Sequence, residues 1–119
     1  MKFDSFQTFY PFYLTQHRNG VCRLLHVVGS LLVAALFWTA ILTQTWWLLL
    51  LLPVVGYGFA WVGHFGFEGN QPATFGAPFY SLASDWVMLF HVLIGRLPLL
   101  GTLTDDQIAT TTGSPAQVS

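Results

Sequence analysis

Charge is scarce in this chain of 119 residues: four are Lys or Arg, five are Asp or Glu, and together they make up 8% of it, where an ordinary soluble domain carries roughly 25%. The basic residues, Lys2, Arg18, Arg23 and Arg96, form no run, and the formal net charge is -1. With so little to neutralise phosphates, nucleic-acid binding is excluded. A single cysteine, Cys22, rules out an internal disulfide and implies no oxidising compartment. The opening Met1-Lys2-Phe3-Asp4-Ser5 lacks the apolar core and cleavage site of a secretory signal, so the hydrophobic segments are expected to stay in the mature protein. The chain has no HExxH motif, no tight cysteine pair and no internal repeat.

What fills the chain instead is apolar: 54% hydrophobic residues and 17% aromatic ones. From Leu24 to Gly63 there is no Asp, Glu, Lys or Arg, and a small domain has too much surface to hide such a block from water. Thr43-Gln44-Thr45 is the block's only run of consecutive polar residues, dividing it into Leu24–Leu42 and Trp46–Val62. As helices these are about 28 and 25 Å long, against a hydrocarbon core of about 30 Å. Lipid offers backbone amides no partner, so helices are the expected form. The predicted fold is an all-α integral membrane protein: a transmembrane hairpin, an N-terminal interfacial helix, and a C-terminal amphipathic or membrane-entering helix. Residues 1–101 would form a single membrane domain. Pro53 should kink the second span. Trp46 and Trp47 suit an interface, and the basic residues outside the spans place both termini on the cytoplasmic side.

The flanks read as follows. Phe3, Phe6, Phe9, Tyr10, Phe12 and Tyr13 form an aromatic leader of the kind that anchors at a headgroup boundary. Asp4 or Ser5 would cap a first helix there, and Pro11 would start another. Residues 68–77 read as a loop. Over 78–97, a helical projection gathers Ser81, Ser84, Asp85, His91, Gly95 and Arg96 within about 140°, opposite Trp86, Leu89, Phe90, Leu93 and Leu97. This helix either lies in the interface or enters the membrane with its polar stripe against the hairpin. Residues 102–119 are predicted to be a disordered tail.

Ionisable groups near membrane depth are costly, so each is a candidate for function. Counted from Gln44, His26 lies 18 residues before the hairpin tip and His64 lies 20 after it, so antiparallel helices bring them to one level. His17 is nine residues before His26, half a turn out of phase on one helix. Both reach a common point only if a helix starts between them, and Asn19-Gly20 is suited to that. Glu68 follows His64 at i+4. Three imidazoles and a carboxylate suit iron, zinc, copper or nickel. The alternative for each histidine is an ordinary hydrogen-bonded or interfacial residue; His91 takes that reading, and Cys22 reads as a small apolar filler.

Two stretches carry a resemblance. Phe9-Tyr10-Pro11-Phe12-Tyr13-Leu14 with His17-Arg18-Asn19 and His26, and Gly63-His64-Phe65-Gly66-Phe67-Glu68-Gly69-Asn70-Gln71-Pro72-Ala73 followed by Asp85 and Met88, are similar to the two motifs of the 2-hydroxy fatty acid dioxygenase family. The resemblance covers about residues 6 to 98. It implies an iron(II)-dependent membrane enzyme of fatty acid α-oxidation. Such an enzyme shortens a 2-hydroxy fatty acid by one carbon with dioxygen and releases carbon dioxide, in phytosphingosine breakdown. It implies Fe2+ held by His17, His26 and His64, with Glu68 and Asp85 as the motif carboxylates and a catalytic role. A chain this short resembles the bacterial branch, for which the inner membrane is the expected location.

On that reading Arg18 or Arg23 would pair with the substrate carboxylate, or serve instead as topology anchors. Asn19 would sit at the substrate site or, like Asp85, orient a ligand imidazole. Leu25, Leu32 and Phe59 would take the acyl tail, and a homo-oligomer would help close the pocket. Two other functions fit the residues: a b-type cytochrome with His26 and His64 as axial haem ligands, and a non-catalytic scaffold or transporter subunit.

Overall fold

In the computed structural model, which describes residue 3, residues 5–72 and residues 76–113, five helices and no strand occur among the described residues. Helix α1 spans Phe6–Thr15, α2 Gly20–Thr43, α3 Leu51–Val62, α4 Pro78–Leu93 and α5 Asp105–Thr112. A 3-10 turn, Trp46–Leu50, leads into α3, and a wide π-helical turn, Gly63–Glu68, leaves it.

Helix α2 and the continuous stretch Trp46–Glu68 form the hairpin, and both are long and apolar enough to cross a membrane. They turn at Gln44, a left-handed C-cap at φ 55°, where the Thr43 hydroxyl bonds Thr39 O at 2.6 Å and lies 2.7 Å from that of Thr45. Pro53 is the third residue of α3. The chain changes from 3-10 to α geometry just before it.

The other helices pack at the open end of the hairpin. Ser5 caps α1 through Thr8 N, and Pro11 starts no new helix but sits buried inside α1. The aromatic leader is not spread on a surface. Phe9, Tyr10, Tyr13 and Leu14 join Met88 of α4, Leu97, Leu103 and Ile108 of α5 in one core, with Phe3, Phe6 and Phe12 packed against it. The start of the expected disordered tail is likewise ordered. Thr104 and Gln107 make a reciprocal capping box at the start of α5, which supplies two of the N–H partners a helix start lacks, and Ile108 is fully buried. Residues 114–119 lie outside the described ones.

Helix α4 is amphipathic in an inverted sense. Ser81, Ser84, Met88 and Leu89 face inward, while Phe79, Leu82, Phe90 and Leu93 are exposed. Water would favour the opposite arrangement.

Candidate metal centre

The site forms where three chain segments meet at the open end of the hairpin. The α1 C-terminus turns at Gln16, and Asn19 restarts the chain as α2 by accepting Val21 N and Cys22 N at 2.9 and 3.2 Å. His17 lies in that turn, so it escapes the half-turn phase difference from His26. Gly63 brings the third segment close: a Cβ there would lie 3.0 Å from Cys22 Sγ and 3.2 Å from its Cα. A side chain there would push Cys22 back, so glycine lets the end of α3 approach the start of α2 closely, one residue before His64.

The three imidazoles are buried and mutually adjacent. His17 Nε2 and His26 Nε2 are 3.1 Å apart, and the ring centroids of His17, His26 and His64 lie 4.4, 4.5 and 4.9 Å from one another. Each Nδ1 faces an oxygen: Tyr13 O at 2.6 Å for His17, Cys22 O at 2.9 Å for His26, and Asn70 Oδ1 at 2.7 Å for His64. The Asn70 amide orientation is set by its NH2 group, which donates to Gln16 O and Oε1, both at 3.1 Å. Each Nδ1 therefore carries the hydrogen, and each Nε2 presents a lone pair. Ligating histidines are commonly held this way, by an acceptor behind the ring.

Burial and the neighbouring imidazoles of His26 and His64 hold His17 well below the usual histidine range, so it is neutral. Two Nε2 lone pairs facing each other at 3.1 Å repel unless a cation lies between them, and neutral imidazole is a ligand for borderline metals such as iron and zinc. The donor set fits a metal ion. Potential ligand atoms of His17, Cys22, His26 and His64 all lie within 4.8 Å of one another. Cys22 Sγ, however, is 3.9 Å from His26 Nδ1, on the side of the ring away from His17.

The carboxylates separate. Glu68 Oε2 accepts Asn19 N at 2.7 Å, because the π-helical turn widens the backbone after His64. It thereby braces the cap of α2. Asp85 lines a cavity of about 30 Å³ together with Tyr13, His17, His26, His64 and Ser81. Its Oδ1 accepts the Tyr13 hydroxyl at 2.5 Å. Burial pushes Asp85 up to about 7, against the downward pull of that hydrogen bond.

The residues read as substrate-binding are engaged elsewhere. Arg18 donates to Leu103 O at 2.8 Å and pairs with Asp105. Arg23, fully buried, donates to His17 O, Arg18 O, Pro98 O and Gly101 O, and so binds the His17 turn to the 98–101 loop. Asn19 is the α2 cap. His91 stands apart from the site, with Nδ1 2.8 Å from the Tyr10 hydroxyl. Tyr13, Asn70 and Ser81 were not among the site residues expected from the sequence. Asn70 stood inside the second motif, and Tyr13 was masked by the apolar residues around it.

A second cavity, about 130 Å³, opens beside the first between α2, α3 and α4, and shares His26, Tyr57, Ala60, Leu82 and Asp85 with it. Ser30, Val33, Leu52, Gly56 and Trp86 complete its lining. Of the residues expected to take an acyl tail, none lines it. Leu32 is exposed, and Phe59 packs so closely on α2 that a Cβ on Gly29 would lie 2.9 Å from it.

Fold and site together define a small helical protein with two membrane-length helices and a buried histidine-rich site able to hold a metal ion. Residues 3–97 match the family model described as 2-hydroxy-palmitic acid dioxygenase Mpo1-like, and the chain belongs to that family. No curated protein and no solved structure matches it significantly.

Proposed function

We propose that the protein is a membrane-embedded, iron(II)-dependent dioxygenase that shortens 2-hydroxy fatty acids by one carbon. The observation that carries the reading is the set of three buried imidazoles, each with Nδ1 on an oxygen and Nε2 left as a donor. The overall reaction balances as R–CH(OH)–COOH + O2 giving R–COOH + CO2 + H2O. His17, His26 and His64 would hold the iron, which when bound supplies the dioxygen binding and redox chemistry that side chains lack.

The chain's own residues do the rest. The small cavity admits the carboxyl and hydroxyl end of the substrate. The adjoining apolar cavity takes the first methylenes of the tail, and the remainder of the tail runs out among lipid past the exposed faces of α2 and α3. Asp85, pushed up to about 7, exchanges a proton with the substrate hydroxyl at neutral pH, and Tyr13 fixes the carboxyl that does so. With Arg18 and Arg23 committed to backbone carbonyls, neither pairs with the substrate carboxylate.

A b-type haem reading lacks room: a porphyrin would have to lie between His26 and His64, whose ring centroids are 4.9 Å apart with His17 beside both. The location we favour is a bacterial inner membrane, with the open end of the hairpin, where Arg18 and Arg23 lie, on the cytoplasmic side. The test is direct. Purified protein reconstituted with ferrous iron and given 2-hydroxyhexadecanoic acid in air is expected to yield pentadecanoic acid and carbon dioxide in equal amounts. Unchanged substrate from iron-loaded protein would refute the reading.

A further inference from the structure

Two hydroxyls on the buried face of α4, Ser81 Oγ and Ser84 Oγ, have no hydrogen-bond partner. Ser84 is wholly enclosed and lines neither cavity. Ser81 lines the histidine cavity, with Asp85 one turn further along the same face. A buried hydroxyl without a partner is costly, and a helical serine commonly avoids this by bonding the carbonyl four residues back. Ser81 makes no such bond, although its own N–H reaches Ala77 O at 2.9 Å.

Asp85, half-buried at the same cavity, also has an oxygen to offer. One oxygen holds the Tyr13 hydroxyl, and the other has no hydrogen-bond partner among the described residues. A hydroxyl and a carboxylate at i and i+4 on one helix face make a complementary pair for an alcohol, whose O–H donates to the carboxylate while its oxygen accepts from the serine. A bare methylene satisfies neither group.

We propose that Ser81 reads the 2-hydroxyl of the substrate, donating to its oxygen while Asp85 accepts its O–H. This rests on the dioxygenase reading above and makes Ser81 a specificity-determining residue. A site built to bond a substrate hydroxyl rejects the analogue that lacks it, because its own polar groups are then left unpaired.

The experiment compares binding of 2-hydroxyhexadecanoic acid and hexadecanoic acid to the iron-loaded protein in detergent, by calorimetry, for wild type, Ser81→Ala and Ser81→Thr. Wild type should prefer the 2-hydroxy acid, Ser81→Ala should narrow that preference by about tenfold or more, and Ser81→Thr should restore it. Iron content and ligand-free melting temperature should be unchanged, or the latter raised, in Ser81→Ala, since an unpartnered hydroxyl is removed. An undiminished preference in Ser81→Ala would overturn the proposal alone, as would a drop in its ligand-free melting temperature. A wild type that prefers neither acid would overturn both the proposal and the reading beneath it.

Discussion

The cap formed by α1, α4 and α5 at the open end of the hairpin has a core built from the same kinds of side chain as the hairpin, and the two treat them oppositely. In the cap, Phe9, Leu14, Leu103 and Ile108 are at most 1% exposed. Along the hairpin, Leu42, Leu50 and Val54 are 79%, 74% and 66% exposed, and α3 buries no residue. The core that α1 and α5 close is assembled as water demands, although α4 turns Phe79, Phe90 and Leu93 outward. The hairpin turns leucine, valine and tryptophan outward, an arrangement that suits lipid rather than water. The histidine site lies at the seam: His17 comes from the cap, while His26 and His64 come from the two arms of the hairpin.

The largest expected effect falls in the cap. Phe9→Ala should cost about 4 kcal/mol by leaving a cavity in the core, measured by denaturant unfolding in detergent, whereas Leu42→Ala should stay within about 0.5 kcal/mol. Equal costs would erase the contrast between the two regions. Next comes Leu32→Arg, midway along α2 and exposed. If lipid covers that face, the change should cost about 3 kcal/mol on insertion and shift the protein out of the membrane fraction. If water covers it, the variant should fractionate as wild type does.

The smallest effect concerns the seam. Asp85 is half-buried, so water screens part of its shift. Its folded value, about 7, exceeds its ordinary 3.8, so between those limits the native state holds a proton the unfolded chain has lost. Its contribution to stability is therefore fully present at low pH and lost as pH rises through that window. His17 runs the other way, losing stability as pH falls below its ordinary 6.5. The difference between wild type and Asp85→Asn isolates the carboxyl. In chelator-treated protein, the melting temperature of wild type relative to that of Asp85→Asn should fall from pH 4 to pH 7, and a flat difference would contradict the assigned environment.

Much of this was legible from the residues. The hairpin followed from forty uncharged residues broken at Thr43-Gln44-Thr45, and the meeting of His26 with His64 followed from counting both ways from Gln44. Asn19-Gly20 was readable as the break that frees His17. The aromatic leader was not readable as core, since in a chain this apolar a phenylalanine suited to lipid looks like one that packs against α4 and α5. Nor did the spacing of Glu68 foretell its role. An i+4 relation assumes α-helical geometry, and the π-helical turn after Gly63 redirects the carboxylate to Asn19. The partners of the arginines were hidden for a related reason. Partners such as Pro98 O and Gly101 O are backbone atoms some 75 residues away in sequence, which no local pattern encodes.

The central claim is that His17, His26 and His64 together hold one metal ion, and metal analysis of the purified protein tests it most directly. Expressed with iron and kept anaerobic, wild type should carry about one iron per chain, and alanine at any of the three histidines should lower that severely, while His91→Ala should leave it unchanged. A wild type without stoichiometric metal, or a His64→Ala variant that retains it in full, would contradict the account.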